Sequence, residues 1–295
     1  MRQANDERGL TRRGLIGAGL AAAGALALGR GSRAEPQKSA TAPESGPYGP
    51  FRMGLQSYSL RGLTKDGKPD VAQALKATRD LALGYWESYI AHIPVLTEKA
   101  QAAEWKARLS DAGVAVIGYG VIRLSKDAGA NRKAFEFAKL MGIPYLSADP
   151  DPDAFDVLDK LVDEYGVNVG IHNHGPGHRY DTIDKIAAAI KDHSPRIGCC
   201  IDTGHFLRSR EDPVRAVEVF GSRTYGVHLK DVKDAKEFTI LGKGDLRTAD
   251  LFKALAKIKY PYCLAVEYEE HPQDPIDDIR ACLAAAREAA KTLMG

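Results

Sequence analysis

The strongest constraint on this chain is a repeated rhythm. Short apolar runs each end in polar, chemically useful residues, and the gaps between them are long enough for one helix. Val167–Ile171 runs into His172, Asn173 and His174, and Ile197–Ile201 runs into Asp202 and His205. The run YGVHL contains His228 and leads to Lys230 and Asp231, and a fourth run, CLAV, leads to Glu267. The steps from His172 to Asp202, Asp202 to His228 and His228 to Glu267 are 30, 26 and 39 residues. Each step holds a helix and two loops, the length of one strand–helix repeat. Parallel strands joined in this way send the side chains at their ends to one rim. Imidazoles and carboxylates meeting there suit a divalent ion such as Mn, Mg, Co or Zn. His172, Asp202, His228 and Glu267 are therefore the candidate metal ligands. A lone histidine at a strand end is as often a backbone cap as a ligand, but four ionisable residues in phase argue for one site.

The same alternation extends upstream. Strand-like runs fall at Arg52–Tyr58, Tyr85–Ile90, Val114–Gly120, Tyr145–Ala148, Val167–His172, Ile197–Ile201, Thr224–Leu229 and Tyr262–Glu267. Apolar residues at helical spacing lie between them, as in Val71-Ala74-Leu75-Thr78 and Ile183-Ile186-Ala187-Ile190. Asp153 and Asp181 stand where helix N-caps are expected, and Gly84, Gly113 and Gly142 where C-caps are expected. Eight such units over residues 51–295 predict an α/β fold, a single (β/α)8 TIM barrel. A doubly wound open sheet fits less well, because no GxGxxG follows an early strand and the polar residues end several strands. The acidic turn from Asp149 to Asp153 lacks the glycine and terminal glutamate of a calcium loop and reads as a rigid turn on the rim. No CxxC occurs, and the adjacent Cys199 and Cys200 in an apolar run read as small core residues facing opposite sides.

Residues 1–34 read differently. Arg12-Arg13 precedes the small, apolar run Gly14–Gly29, and Ser32-Arg33-Ala34 has the form of a cleavage site. This is the pattern of a twin-arginine signal peptide, so the expected location is periplasmic or secreted. Residues 35–50, rich in Pro, Ser, Thr and Ala, read as a flexible tether. Removing residues 1–34 takes away six arginines and two acidic residues, leaving 35 basic and 37 acidic residues and a formal charge of −2. No basic surface is left to suggest nucleic acid as a partner, and no membrane span is expected after signal removal.

The segments Ile201-Asp202-Thr203-Gly204-His205, Val227-His228-Leu229-Lys230-Asp231, Leu241-Gly242-Lys243-Gly244-Asp245 and Ala265-Val266-Glu267-Tyr268-Glu269 resemble a known group. They are similar to the xylose isomerase-like superfamily of TIM-barrel sugar (phosphate) isomerases and epimerases. The likeness is greatest to its inosose (keto-inositol) dehydratase branch. It covers Phe51 to the C-terminus, with its specific motifs between Gly170 and Glu267. The resemblance implies one divalent metal ion and a small carbohydrate or polyol substrate. It places Asp202, His228 and Glu267 on metal-ligand positions. His172 stands where many epimerases of the superfamily carry glutamate, and two glutamates support two-base epimerisation there.

The residue types supply the chemistry. A divalent ion chelated by a carbonyl and an adjacent hydroxyl acidifies the neighbouring C–H, and a positioned base removes that proton to give an enediolate. Glu267, His174 and His205 are candidate acids or bases, and Lys230 is a candidate holder of a substrate oxygen. The competing reading for Lys230 is a salt bridge to Asp231 or Glu267. Glu87 in the second strand, with Trp86 and Tyr58, is a candidate for binding substrate, against ordinary barrel packing. The combined reading is an exported, metal-dependent sugar isomerase or epimerase acting through an enediolate. A dehydratase or lyase acting on a keto-sugar or keto-polyol is the alternative. A sugar-binding barrel without turnover is the reading from a different class, and an ionisable ring around a metal quartet argues against it.

Overall fold

A computed structural model describes residues 46–293. The expected signal peptide, residues 1–34, and residues 35–45 of the expected tether lie outside the described residues. Eight parallel strands close a barrel: β1 (Arg52–Gln56), β2 (Tyr85–Ser88), β3 (Ala115–Leu124), β4 (Tyr145–Pro150), β5 (Asn168–His172), β6 (Ile197–Asp202), β7 (Thr224–Leu229) and β8 (Cys263–Val266). Each pairs with its neighbours in sequence, and β1 closes on β8 with Arg52 opposite Cys263 and Leu55 opposite Val266. All six residues of β6 and all six of β7 are buried. That is the signature of parallel strands covered on one face by helices and on the other by the barrel interior. The single (β/α)8 TIM barrel read from the sequence is the observed architecture.

Each strand is followed by a helix: α1 (Val71–Asp80), α2 (Lys99–Asp111), α3 (Ala128–Met141), α4 (Phe155–Tyr165), α5 (Ile183–Ile190), α6 (Pro213–Phe220), α7 (Thr248–Lys257) and α8 (Ile276–Lys291). Their apolar faces pack on the strands, for example Ile183, Ile186 and Ile190 of α5 and Leu158, Leu161 and Val162 of α4. Helix ends partly follow the sequence signals. Gly142 ends α3 in the left-handed region at φ 79°, and Gly113 follows α2 at φ 63°. Asp153 does not cap α4, which starts after Ala154 without a side-chain cap, and Thr182 rather than Asp181 caps α5. Asp181 instead accepts the Gly177 N–H and pairs with Lys185. Gly84 is no cap either, since α1 ends at Asp80 with Leu81 as its C-cap and Ala82 makes the left-handed turn.

Three departures from the expected elements shape the site. β1 stops at Gln56 and winds into a 3-10 turn, Ser57–Leu60, which lifts Tyr58 onto the rim. β3 runs four residues beyond the expected end. Two extra pieces cover the rim: a short helix, Thr203–Arg208, directly after β6, and a hairpin pairing Asp231–Lys233 with Glu237–Thr239 after β7. At the other end of the chain the packed structure begins earlier than composition suggests. Tyr48, placed in the tether by its neighbours, is buried, and Arg287 Nε donates to its hydroxyl at 3.2 Å. All four cysteines are buried and unpaired.

Candidate metal centre and substrate cavity

His172 ends β5, Asp202 ends β6, His228 is the fifth residue of β7, and Glu267 follows β8. The four side chains are buried, and one ligand atom from each lies within 4.8 Å of all the others. His172 Nε2 is 3.1 Å from His228 Nδ1 and 3.5 Å from Asp202 Oδ2. His228 Nδ1 is 3.8 Å from Asp202 Oδ2 and 3.2 Å from Glu267 Oε2.

Local interactions aim these atoms. Asp202 Oδ1 caps the short helix by accepting the His205 N–H at 2.7 Å, which leaves Oδ2 for the cluster. Asn173 grips the backbone of Asp202 on both sides, donating to its carbonyl at 2.8 Å and accepting its N–H at 2.7 Å. The Thr203 hydroxyl donates to the Lys230 carbonyl at 2.6 Å and accepts the Lys230 N–H at 2.9 Å, locking β6 to β7. A Cβ on Gly204 would stand 2.7 Å from Lys230 Cγ, so glycine is needed there for Lys230 to pass. The DTGH and HLKD segments are thus two halves of one clamp.

Lys230 is almost fully buried. Its ammonium lies 3.0 Å from Asp202 Oδ2 and 2.8 Å from Glu267 Oε2 and pairs with Glu269. It does not pair with Asp231. That carboxylate instead accepts four backbone N–H groups, from Val232, Gly242, Gly244 and Leu246, and organises the loop after β7. A Cβ on Gly244 would come within 2.4 Å of Asp231 Oδ1, which accounts for the LGKGD segment.

The electrostatics follow from burial and charge. Burial alone would raise the pKa of Glu267, but Lys230 and His228 outweigh it and bring it down to about 2. Asp202 is likewise held well below the usual carboxylate range, its burial outweighed by Lys230, His205 and His172. Burial disfavours the Lys230 ammonium, yet Asp202, Glu267 and Glu269 keep its pKa above the ordinary lysine value. His174 and His205 go the other way. Burial, with neighbouring histidines and, for His205, Lys230, lowers them to about 3 and about 4, so both are neutral at pH 7.

The donor set fits a divalent ion. Ligand atoms about 2.0–2.2 Å from one centre stand roughly 3.0–3.6 Å from each other, and the four separations above cluster around that range. Asp202 Oδ2 and Glu267 Oε2 are buried and meet only the Lys230 ammonium and the imidazoles, so each keeps lone pairs for an ion. Two buried anionic oxygens with unused lone pairs, facing two imidazole nitrogens, form a cation site by their chemistry.

Above the cluster is a cavity of about 270 Å³. His172, His174, His205, Lys230, Glu267 and Glu269 line one wall. Gln56, Tyr58 and Tyr89, with Gly120 and Val121, line the other. A larger open hollow of about 670 Å³ beside the starts of β2 and β3 has no histidine or carboxylate in its lining, so chemistry rather than size picks the site. Of the residues expected to bind substrate, Tyr58 lines the cavity and packs edge-on against Tyr89 at 4.9 Å. Trp86 does not. It is fully buried outside the barrel, donating from Nε1 to Thr78 Oγ1 of α1 at 2.8 Å. Glu87, one residue on, points to the opposite side, as strand geometry requires, but it lies in the barrel interior beneath the cluster and does not line the cavity. Tyr89 and Glu269 escaped the sequence reading, although each lies two residues past a residue it singled out. Phe238 also escaped it. Its ring packs on His205 at 5.7 Å from a hairpin with no sequence signal.

The family model of the xylose isomerase-like TIM barrel matches residues 75–289. A rhizopine catabolism protein, MocC, of Rhizobium meliloti is 25% identical over 242 residues, 74% of this chain and 73% of that protein. An inosose dehydratase of Clostridium beijerinckii is 30% identical over 140 residues, 41% of this chain, and the match spans less than half of that relative's length, 46%. The solved structure of a 3-keto-D-glucoside 4-epimerase from E. coli superposes with a TM-score of 0.63 at 15% identity, over 81% of this chain and 99% of that one, a likeness of fold. With the closed barrel and a family match across most of its length, this chain belongs to the xylose isomerase-like TIM barrel family.

Proposed function

We propose that this protein is a divalent-metal-dependent enzyme that removes a proton beside the carbonyl of a keto-sugar or keto-polyol and then expels water, a dehydratase. The observation that carries this reading is His172. Its Nε2 is turned into the ligand cluster, so β5 brings an imidazole where two-base epimerisation needs a carboxylate. The wall from β1 to β3 supplies no replacement, because among the described residues it holds only Gln56, two tyrosines and two apolar residues. The inosose dehydratases among the similar proteins support the same reading.

His172, Asp202, His228 and Glu267 would hold the ion, which supplies Lewis acidity to a chelated carbonyl and hydroxyl. The Lys230 ammonium stabilises the negative charge that builds on the substrate oxygen. His174 and His205 line the cavity as neutral imidazoles at pH 7, weak bases that hold a proton only in passing. Once protonated, an imidazole with so low a pKa is a strong acid, so it passes the proton readily to a departing hydroxyl on the same side of the substrate. Tyr58 and Tyr89 offer the substrate an apolar wall, and the cavity volume suits a monosaccharide-sized ligand.

One-base chemistry also serves a second reading, isomerisation, in which the same proton returns to the neighbouring carbon. Incubating the metal-loaded enzyme with an inosose in deuterated water separates the two. Loss of water supports dehydration. Deuterium exchange or isomer formation without loss of mass overturns it. His172→Glu should keep the ion and reduce dehydration.

The expected signal peptide completes the proposal: the mature protein begins near Glu35 and is exported by the twin-arginine route. Arg12-Arg13 ahead of the apolar run supports this. Among the described residues no helix is long and apolar enough to cross a membrane. Replacing both arginines by lysine should trap precursor in the cytoplasm, and unchanged export would refute the signal.

A further inference from the structure

Glu87 is a fully buried carboxylate inside the barrel, and the chemistry proposed above does not use it. Three other strands converge on it. Gln56 of β1 donates to Oε1 at 2.9 Å, Ser147 of β4 donates to the same oxygen, and Tyr145 of β4 donates to Oε2 at 2.7 Å. The remaining contact is His228 Nε2 of β7, 2.8 Å from Oε1. Every other partner of this carboxylate is an O–H or N–H donor, so Glu87 is an acceptor throughout. His228 Nε2 must then carry its proton toward Glu87, because two lone pairs facing each other at 2.8 Å inside a barrel would repel. Nδ1, the other ring nitrogen, is the atom that faces His172, Asp202 and Glu267, and with Nε2 holding its proton Nδ1 is the one free to serve as a ligand. His172 has no such support, since its Nδ1 is buried without a partner.

We propose that Glu87 is the positioning residue of the metal centre: it fixes the ring and tautomer of His228 so that Nδ1 is presented to the ion. The inference rests on the metal reading of the cluster. Carboxylates behind metal-bound histidines typically contribute 10–100-fold to metal affinity. The placement also explains why a carboxylate is kept in a barrel interior at all. An apolar residue there would leave Gln56, Ser147, Tyr145 and His228 with unmet donors.

The test measures zinc and manganese affinity by chelator competition in the full mature protein, wild type and Glu87→Gln. The expected result is binding about 10–100-fold weaker in the variant, with a far-ultraviolet circular dichroism spectrum like that of wild type. Equal affinity in the two proteins overturns the role of Glu87 while sparing the metal reading. No binding by wild type overturns both. Should Glu87→Gln fail to fold, nuclear magnetic resonance of the zinc-loaded wild type decides alone. His228 should show an exchange-protected, strongly hydrogen-bonded Nε2 proton and no proton on Nδ1, and the reverse pattern overturns the proposal.

Discussion

The two halves of the barrel wall differ in kind. From β5 to β8 the strand ends carry the imidazoles, the carboxylates and the lysine that crowd around one point. From β1 to β4 the inward side chains are a glutamine, a glutamate, a tyrosine and a serine that bond one another below that point, with tyrosines above it. Where they line the cavity, the late half holds charge and the early half holds shape. Charge gathered on one side can act on a substrate lying against a neutral wall, and it biases the chemistry toward one face. Inside the barrel, the contact of His228 Nε2 with Glu87 joins the two sets of side chains.

The largest effects should come from the late half. Asp202→Ala or Glu267→Ala should abolish stoichiometric metal and lower activity by roughly a thousandfold. Circular dichroism should stay unchanged, because both residues sit on the rim rather than in the packing layer. Full metal occupancy in either variant by elemental analysis would mean the quartet is misassigned. Lys230→Met should keep the ion yet cost about a hundredfold in kcat. A rise in KM alone would recast Lys230 as a ground-state contact.

In the early half the effects should be smaller and of a different type. Tyr58→Ala or Tyr89→Ala should raise KM about tenfold, the worth of one aromatic contact, with kcat within about threefold. A kcat collapse in either would show that the neutral wall takes part in the chemistry. Trp86→Phe should lower stability by about 1–3 kcal/mol through lost volume and the lost bond to Thr78. Kinetics should move less than about twofold, since Trp86 faces α1.

The subtlest distinction is in pH. His92, in the early half, and His205, in the late half, are both lowered by burial to about 4, and His174 to about 3. Their folded values lie below the ordinary 6.5, so the unfolded chain takes up protons first as pH falls. Stability from these groups is complete above about pH 6.5 and is lost between there and about pH 3. Thermal unfolding of metal-free protein should show that slope. The acid limb of kcat should lie near pH 4 or below, and a limb near 6.5 would mean that His174 and His205 are not held neutral.

Much of this was legible along the chain, and unevenly. The late strands announce themselves because buried parallel strands are nearly all apolar, so a histidine or aspartate at their end stands out. The early half lacks that contrast. Trp86 and Glu87 are adjacent, and the strand sends one outward and the other inward, but no local signal says which face is which. Lys230 faces the same limit. Asp231 is its neighbour in sequence, yet Asp202, Glu267 and Glu269 are its partners in space.

The sequence by itself determined the strand–helix rhythm, the barrel it implies and the four residues that meet at the rim. It could do so because periodicity and spacing are local properties and barrel closure is the only way to cover every strand edge. The tertiary structure alone decided that Glu87 stands behind His228, that Trp86 faces away, that Asp231 builds a loop and that one wall of the cavity is neutral. Each of these depends on contacts between residues far apart in the chain. Such contacts are set by which side of a strand turns inward and by which side chains the closing barrel brings into reach.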